Sequence, residues 1–292
     1  AARLSPDDAR DLLEEADRDR AYPVRLVAAE SGAASRLIDD PDWRVRAAAL
    51  AAAPRHRDRE TVAALVDRLP REKGRLRWDL LTALHDLTGK DLGLSPDAWK
   101  AWWEANRETF VPTSPGGSEG PSPGSTQASF FELPILSTRI LFVLDLSGSM
   151  RDPAPEGTGT KLDAAKEGMI ATIRALPPDA RFGIVGLGGD ASGEWTSPEK
   201  KTWGGRPELH PAVPALKADA ERFVRKLEAK GWTNLYDGIV RAFDAPDVDT
   251  IYLYSDGGAS KGTFVAAREI LENLAELNRF RKVVLHAVEV PG

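Results

Sequence analysis

Apolar side chains in the first 110 residues recur at intervals of three and four, and further along the chain they gather into short unbroken runs between such stretches. Ser5-Pro6-Asp7-Asp8 has the form of a helix start, with Ala9, Leu12, Leu13 and Ala16 falling on one face. Asp40-Pro41-Asp42 repeats that signal ahead of Trp43-Arg44-Val45-Arg46-Ala47-Ala48-Ala49-Leu50. A stripe of Val62, Leu65, Val66 and Leu69 ends at Pro70, and another of Leu76, Leu80, Leu81 and Leu84 stops near Gly89. Ser95-Pro96-Asp97 opens a last helix carrying Trp99, Trp102 and Trp103 on one side, a spacing that predicts core contacts between helices. Short helices separated by a few residues predict antiparallel pairs stacked as a solenoid.

The second half alternates. Ile140-Leu141-Phe142-Val143-Leu144 is the run expected of a strand buried on both faces. Residues 161–176 predict a helix, stopped by Pro177-Pro178, and Phe182 to Leu187 a second strand. A Gly-rich hairpin with Trp195 and Trp203 follows, with a short edge strand near Glu194-Trp195-Thr196. Helices over 215–229 and 235–243, a strand at Thr250-Ile251-Tyr252-Leu253-Tyr254, a helix over 264–280 and a strand over 283–290 complete the pattern. Strands alternating with helices predict an α/β domain, a doubly wound and mainly parallel sheet with helices on both faces.

Between Val111 and Ala128 the chain is nearly devoid of apolar side chains and rich in Pro, Gly and Ser, which cannot offset ordering entropy by burial. The expected organisation is an all-α helical-repeat domain over 1–110, a linker over 111–136 and the α/β domain over 137–292.

Composition narrows the functional classes. A chain of 292 residues with 42% hydrophobic content can bury one large core or two modest ones. Its net charge of −6 argues against nucleic acid, because the cluster Arg55-His56-Arg57 is answered at once by Asp58 and Glu60. With no cysteine, disulfide and thiolate chemistry are excluded. No apolar run reaches the roughly 20 residues of a membrane helix. The first residue is alanine, so a removed signal segment is compatible with the sequence and the compartment stays open.

Polar clusters mark the chemistry. Asp145-Leu146-Ser147-Gly148-Ser149 directly follows the first strand, Thr233 starts a helix in Gly231-Trp232-Thr233-Asn234, and Asp256 follows the third strand in Tyr254-Ser255-Asp256-Gly257-Gly258. In a doubly wound sheet, ligands bind beyond the carboxyl ends of strands at the switch point, where Asp145 and Asp256 would lie side by side if their strands are neighbours. Two carboxylates and three hydroxyls are an all-oxygen set, the chemistry of Mg²⁺ or Mn²⁺ completed by water. Two carboxylates balance a divalent ion without exceeding its charge, which leaves it an appetite for an anionic oxygen.

Asp-x-Ser-x-Ser after a buried strand, a distant Thr and a later Ser-Asp-Gly resemble the von Willebrand factor A family and its metal-ion-dependent adhesion site, from about Ser137 onward. The resemblance implies that Ser147, Ser149 and Thr233 bind the metal (Mg²⁺, or Mn²⁺ or Ca²⁺) directly or nearly so. It implies that Asp145 and Asp256 act largely through water, and that Asp237 anchors the Thr233 loop from behind. A Glu or Asp of a protein partner would complete the coordination. Trp232 departs from the glycine common at that place in the family, and implies a bulkier rim. The chain stops at Gly292, after the strand where the family normally adds a helix. Either the domain is cut there, or another element, the helical domain among the candidates, covers that sheet face. In the N-terminal half, Asp42, Val45, Arg46 and Ala48, with a degenerate copy near Arg77-Trp78, resemble HEAT repeats.

Enzyme chemistry finds no comparable support. A serine hydrolase would need a Gly-x-Ser-x-Gly elbow with a histidine partner, and Ser147 is preceded by Leu146. The histidines His56, His85, His210 and His286 have no motif context, and Gly186-Leu187-Gly188-Gly189 lacks the lysine of a phosphate-binding loop. The expected function is therefore non-catalytic: a metal-dependent protein-interaction module. The alternative is a scaffold whose helical repeats bind the partner while the metal is only structural.

Overall fold

The computed structural model describes residues 6–111, 128–155, 159–188, 193–195 and 207–290. The segment 112–127, along with Ser5, Gly189, Thr196 and Trp203, lies outside the described residues. The chain divides into two units, Ala1–Gly124 and Ser125–Gly292.

In the first unit the helices are α1 (Pro6–Ala16), α2 (Tyr22–Ala28), α3 (Ala34–Leu37), α4 (Trp43–Ala52), α5 (Arg59–Arg68), α6 (Gly74–Thr88) and α7 (Pro96–Asn106). Their starts follow local chemistry. The Asp42 side chain accepts from the Arg44 N–H, Asp58 from Thr61 and Ser95 from Ala98, each meeting a backbone donor that the helix leaves unpaired. Gly89 closes α6 in the left-handed region at φ 65°. The sequence gives no start signal of this kind for residues 22–37. There α2 passes into α3 through a π-helical stretch, Ala29–Ala33, that bends at Gly32 with φ 142°. Trp99 and Trp103 are buried as the spacing predicts, Trp99 donates to the Gly93 carbonyl, and Trp102 and Trp103 meet Phe110 edge-on.

Charge in this unit is paired. Arg25 holds Asp40 through two hydrogen bonds of 2.7 and 3.0 Å, and Arg46 and Arg68 share Glu72, at 2.9 and 2.8 Å. Arg68 and Arg71 grip Asp39; burial pushes its carboxyl up, but their hydrogen bonds outweigh this and hold it below its ordinary value.

The second unit comprises β1 (Ser129–Phe130), β2 (Leu133–Pro134), β3 (Arg139–Asp145), α8 (Lys161–Ala175), β4 (Arg181–Leu187), β5 (Gly193–Glu194), β6 (His210–Pro211), α9 (Pro214–Arg225), α10 (Leu235–Phe243), β7 (Thr250–Ser255), α11 (Ala267–Asn278) and β8 (Val284–Glu289). The sheet runs β5-β4-β3-β7-β8, with β6 also paired to β4. Strands β4, β3, β7 and β8 are parallel, while the short β5 and β6 are antiparallel to β4. Ile140, Phe142 and Leu144 face a core shared with α8 and α9, whereas Leu141 and Val143 face one shared with α10 and α11. Being central and covered on both sides, β3 can be apolar throughout, which explains the unbroken run. At the sheet's amino end, the Ser137 hydroxyl and the Arg139 guanidinium both donate to Asp249, pinning β3 beside β7.

The linker was expected over 111–136; within that range β1 and β2 form an antiparallel hairpin that belongs to the second unit. Phe130 is fully buried against Phe142 and Tyr252, and Phe131 stacks on Tyr254 at 4.1 Å. Gly168, inside α8, admits that ring: a Cβ there would stand 2.4 Å from Phe131.

Candidate metal centre

The chain leaves β3 through α8 to reach β4 on one side, while β7 lies on the other, so the carboxyl ends of β3 and β7 diverge at a switch point. Asp145 closes β3 there with no exposed surface. Burial pushes its carboxyl up; hydrogen bonds from Ser255 and Ser147 pull it down by less, and nearby Asp256 adds to the rise. Leu146 extends the pairing by one residue, its N–H donating to the Leu187 carbonyl at 2.6 Å. The backbone then tightens into a 3₁₀ turn over Gly148–Arg151, anchored by buried Met150. This turn carries both serines to one side, with their hydroxyl oxygens 3.0 Å apart.

The loop after β7 closes the arrangement. The Ser255 hydroxyl donates to Asp145 Oδ2 at 2.6 Å, and the Ser147 N–H donates to Asp145 Oδ1 at 2.8 Å. Ser149 donates to Asp256 Oδ1 at 2.9 Å. Asp145, Ser147, Ser149 and Asp256 are thus brought together by direct hydrogen bonds and by Ser255. Thr233 arrives by its backbone: the Gly148 N–H donates to the Gly231 carbonyl at 2.9 Å and the Lys230 N–H to the Leu146 carbonyl at 2.6 Å, laying the Thr233 segment beside the turn. Gly148 has a packing reason as well, since a Cβ there would lie 3.2 Å from that same carbonyl. Thr233 is 7% exposed and its N–H donates to the Ser260 hydroxyl at 3.0 Å.

Asp237 bonds both to Asn234, next to Thr233, and to the loop after β7. It accepts from the Thr263 hydroxyl at 2.7 Å and from the Thr263 N–H at 3.2 Å, tying the loop after β7 to the first turn of α10. Burial raises its carboxyl, and hydrogen bonds from Thr263 and Asn234 more than reverse this. Its hold on the Thr233 segment runs through Asn234.

Sequence reasoning missed two groups. Ser255 was read only as part of the Ser-Asp-Gly string, although its hydroxyl joins the two carboxylate loops. Lys161 opens α8, and its ammonium lies 3.1 Å from Asp256 Oδ2, with both side chains nearly enclosed. The only sequence signal was slight: a lysine in the first helical turn opposes the helix dipole and gains from a nearby acid.

Among the described residues no three His, Cys, Asp or Glu side chains gather as a metal cluster. A cation here would rest on two carboxylates and hydroxyls, a hard-oxygen set that fits Mg²⁺, Mn²⁺ or Ca²⁺ and not Zn²⁺.

Residues 140–259 match the family model of the von Willebrand factor type A domain. Inter-alpha-trypsin inhibitor heavy chain H3 of Pongo abelii is 28% identical over 162 residues, which is 48% of this chain and 16% of that protein. The human heavy chain H3 is 30% identical over 129 residues, 41% of this chain and 12% of that one. The chain therefore spans only a small part of the length of these curated relatives. Among solved structures, a von Willebrand factor type A protein from Catenulispora acidiphila aligns with a TM-score of 0.38 at 24% identity, over 52% of this chain and 33% of that one. The SpRpn10 VWA domain aligns with a TM-score of 0.36 at 14% identity, over 51% of this chain and 73% of that one. The motif order, the strand order and the family match agree: residues 140–259 are a von Willebrand factor type A domain, preceded in this chain by an all-helical region.

Proposed function

We propose that the A-type domain binds a protein partner through a divalent ion, Mg²⁺ with Mn²⁺ or Ca²⁺ able to replace it. Asp145, Ser147, Ser149, Thr233 and Asp256 hold the ion, and a Glu or Asp of the partner completes its sphere. The observation that carries this reading is the joining of two buried carboxylates and two serine hydroxyls, by hydrogen bonds of 3.0 Å or less, at the switch point between β3 and β7. Burial leaves Asp145 wanting a cation, and the hydroxyls supply neutral oxygens that do not saturate the ion's charge. Asp237, through Thr263 and Asn234, fixes the surrounding loops so that little reorganisation accompanies binding. Catalysis is no part of this reading: in this unit, His210 pairs with Phe182 at the start of β4, away from the Asp145 end, and His286 stacks on Tyr252 in mid-sheet. No described helix is long and apolar enough to cross a membrane.

The test is capture of partners from the native source on the full chain, in Mg²⁺ and in EDTA, with Asp145→Ala as control and its folding checked by circular dichroism. Capture should depend on both the ion and Asp145. Capture that survives both would sink this reading and point to the HEAT-like helical region as the recognition surface.

A further inference from the structure

We propose that Lys161 sets the charge of the metal site, giving up metal affinity to strengthen the site's grip on an incoming carboxylate. The inference rests on the metal-binding reading above. Lys161 is only 9% exposed although it is a lysine, and the Asp256 side chain it meets at 3.1 Å is 3% exposed. Each Asp256 oxygen has its own donor, Ser149 on Oδ1 and Lys161 on Oδ2. The lysine is held in place. Its backbone N–H donates to the Asp152 carbonyl at 2.9 Å, and a capping box between Thr160 and Asp163 fixes where the helix begins.

This placement is costly on two counts, because the ammonium is desolvated and sits at the positive end of a helix. The helix dipole alone would be better served by an acidic or neutral residue at that position. The charge count gives the placement a use. Asp145 and Asp256 contribute two negative charges and Lys161 one positive, so the enclosed set carries a net −1. A divalent ion brings it to +1, and one carboxylate from a partner brings it to zero. Without Lys161 the same steps end at −1, with a neutral loaded site that attracts an acid less. Arg151, the other cation on this loop, is exposed and donates weakly to the Gly148 carbonyl, so water screens its charge.

The test compares the wild-type chain with Lys161→Met, Lys161→Arg and Asp145→Asn. Mn²⁺ affinity is read by electron paramagnetic resonance, and acetate binding to the Mn²⁺-loaded proteins by water-proton relaxation. Lys161→Met should tighten Mn²⁺ binding by about tenfold or more and weaken acetate by a similar factor, while Lys161→Arg stays within about twofold of wild type. If Lys161→Met melts too low to measure, Lys161→Gln, which keeps a donor to Asp256, carries the same expectations. A wild type that binds Mn²⁺ in an Asp145-dependent way, beside a Lys161→Met that binds no more tightly, overturns the inference and leaves the metal site standing. Tighter Mn²⁺ with unchanged acetate affinity overturns the exchange of one for the other. If none of the proteins binds Mn²⁺, the metal reading fails and this inference with it.

Discussion

Buried acids in this chain are treated in two ways, clearest when Asp40 and Glu72 of the helical unit are set beside Asp145 of the A-type domain. In the helical unit, Asp40 and Glu72 are buried and each gripped by arginine, and arginine hydrogen bonds hold the carboxyls of exposed Asp39 and half-buried Asp42 below their ordinary value. At the switch point of the A-type domain, Asp145 is more deeply buried than any of these and meets no arginine; its partners are hydroxyls and one N–H, and burial raises it. A buried acid matched to a fork of donors stabilises a fold. A buried acid left with neutral donors strains it, and that strain is relieved when a cation arrives. Under the proposed function, the contrast separates acids that hold this protein together from acids kept for binding.

The sharpest way to break the contrast is to unpair a structural acid. Arg25→Met leaves Asp40 enclosed without its cation and should cost the helical unit about 3 kcal/mol. Hydrogen exchange with mass spectrometry would show it as faster exchange across α2 and α4, with the A-type sheet unchanged. Substitutions at the site should do the reverse. Ser149→Ala and Thr233→Ala are expected to weaken Mn²⁺ binding by about tenfold each while moving the melting temperature of the metal-free protein by less than about 2 °C. Equal losses of stability and affinity would mean that the hydroxyls serve the fold.

Acid separates Asp39 and Asp42 from Asp145 by sign. Asp39 and Asp42 have folded pKa values below the ordinary 3.8, so the stability they contribute is present above that value and lost as pH falls through the lower, folded one. Asp145 is shifted the other way, so its ionised form costs stability and protonation relieves it. Protection factors followed downward from about pH 5 should therefore fall at the start of α4, which Asp42 caps, with no matching loss at the Asp145 end of β3. The smallest effect on the fold is expected at Trp232, 62% exposed beside Thr233. Trp232→Ala should change stability by no more than about 0.5 kcal/mol and leave Mn²⁺ affinity alone, while weakening capture of the partner.

What could be read from the sequence divides along a physical line. The long parallel strands were legible because β3 and β7 are covered on both faces, and such strands must be apolar at every position. Helix starts at Asp42 and Ser95 were legible because capping is local. The β1–β2 hairpin was not. Its strands have two residues each, and its turn places Phe131 and Glu132 at φ 44° and 70°, where Asn-Gly would have announced it. The bend at Gly32 hides the α2–α3 segment in a similar way, by breaking the 3.6-residue period. At the site, the motif residues were found because their spacing is local within each loop. Lys161 and Ser255 gained roles only when the fold set loops more than 90 residues apart side by side, at Lys161–Asp256 and Ser255–Asp145. Asp237 was expected to support the Thr233 loop; its bond to Thr263, in the loop after β7, could not be read from its neighbours in sequence.

The central claim, that the uncompensated charge of Asp145 is kept for a cation, is tested most directly by melting the wild type and Asp145→Asn, each in EDTA and in excess Mg²⁺. In EDTA, Asp145→Asn should melt higher than wild type by about 2–4 °C, because removing the charge removes its burial cost while Ser147 and Ser255 keep hydrogen-bond partners. Mg²⁺ should raise the wild type and leave the variant where it was. A wild type indifferent to Mg²⁺, with Asp145→Asn melting lower in EDTA, would contradict the account and return Asp145 to the structural acids.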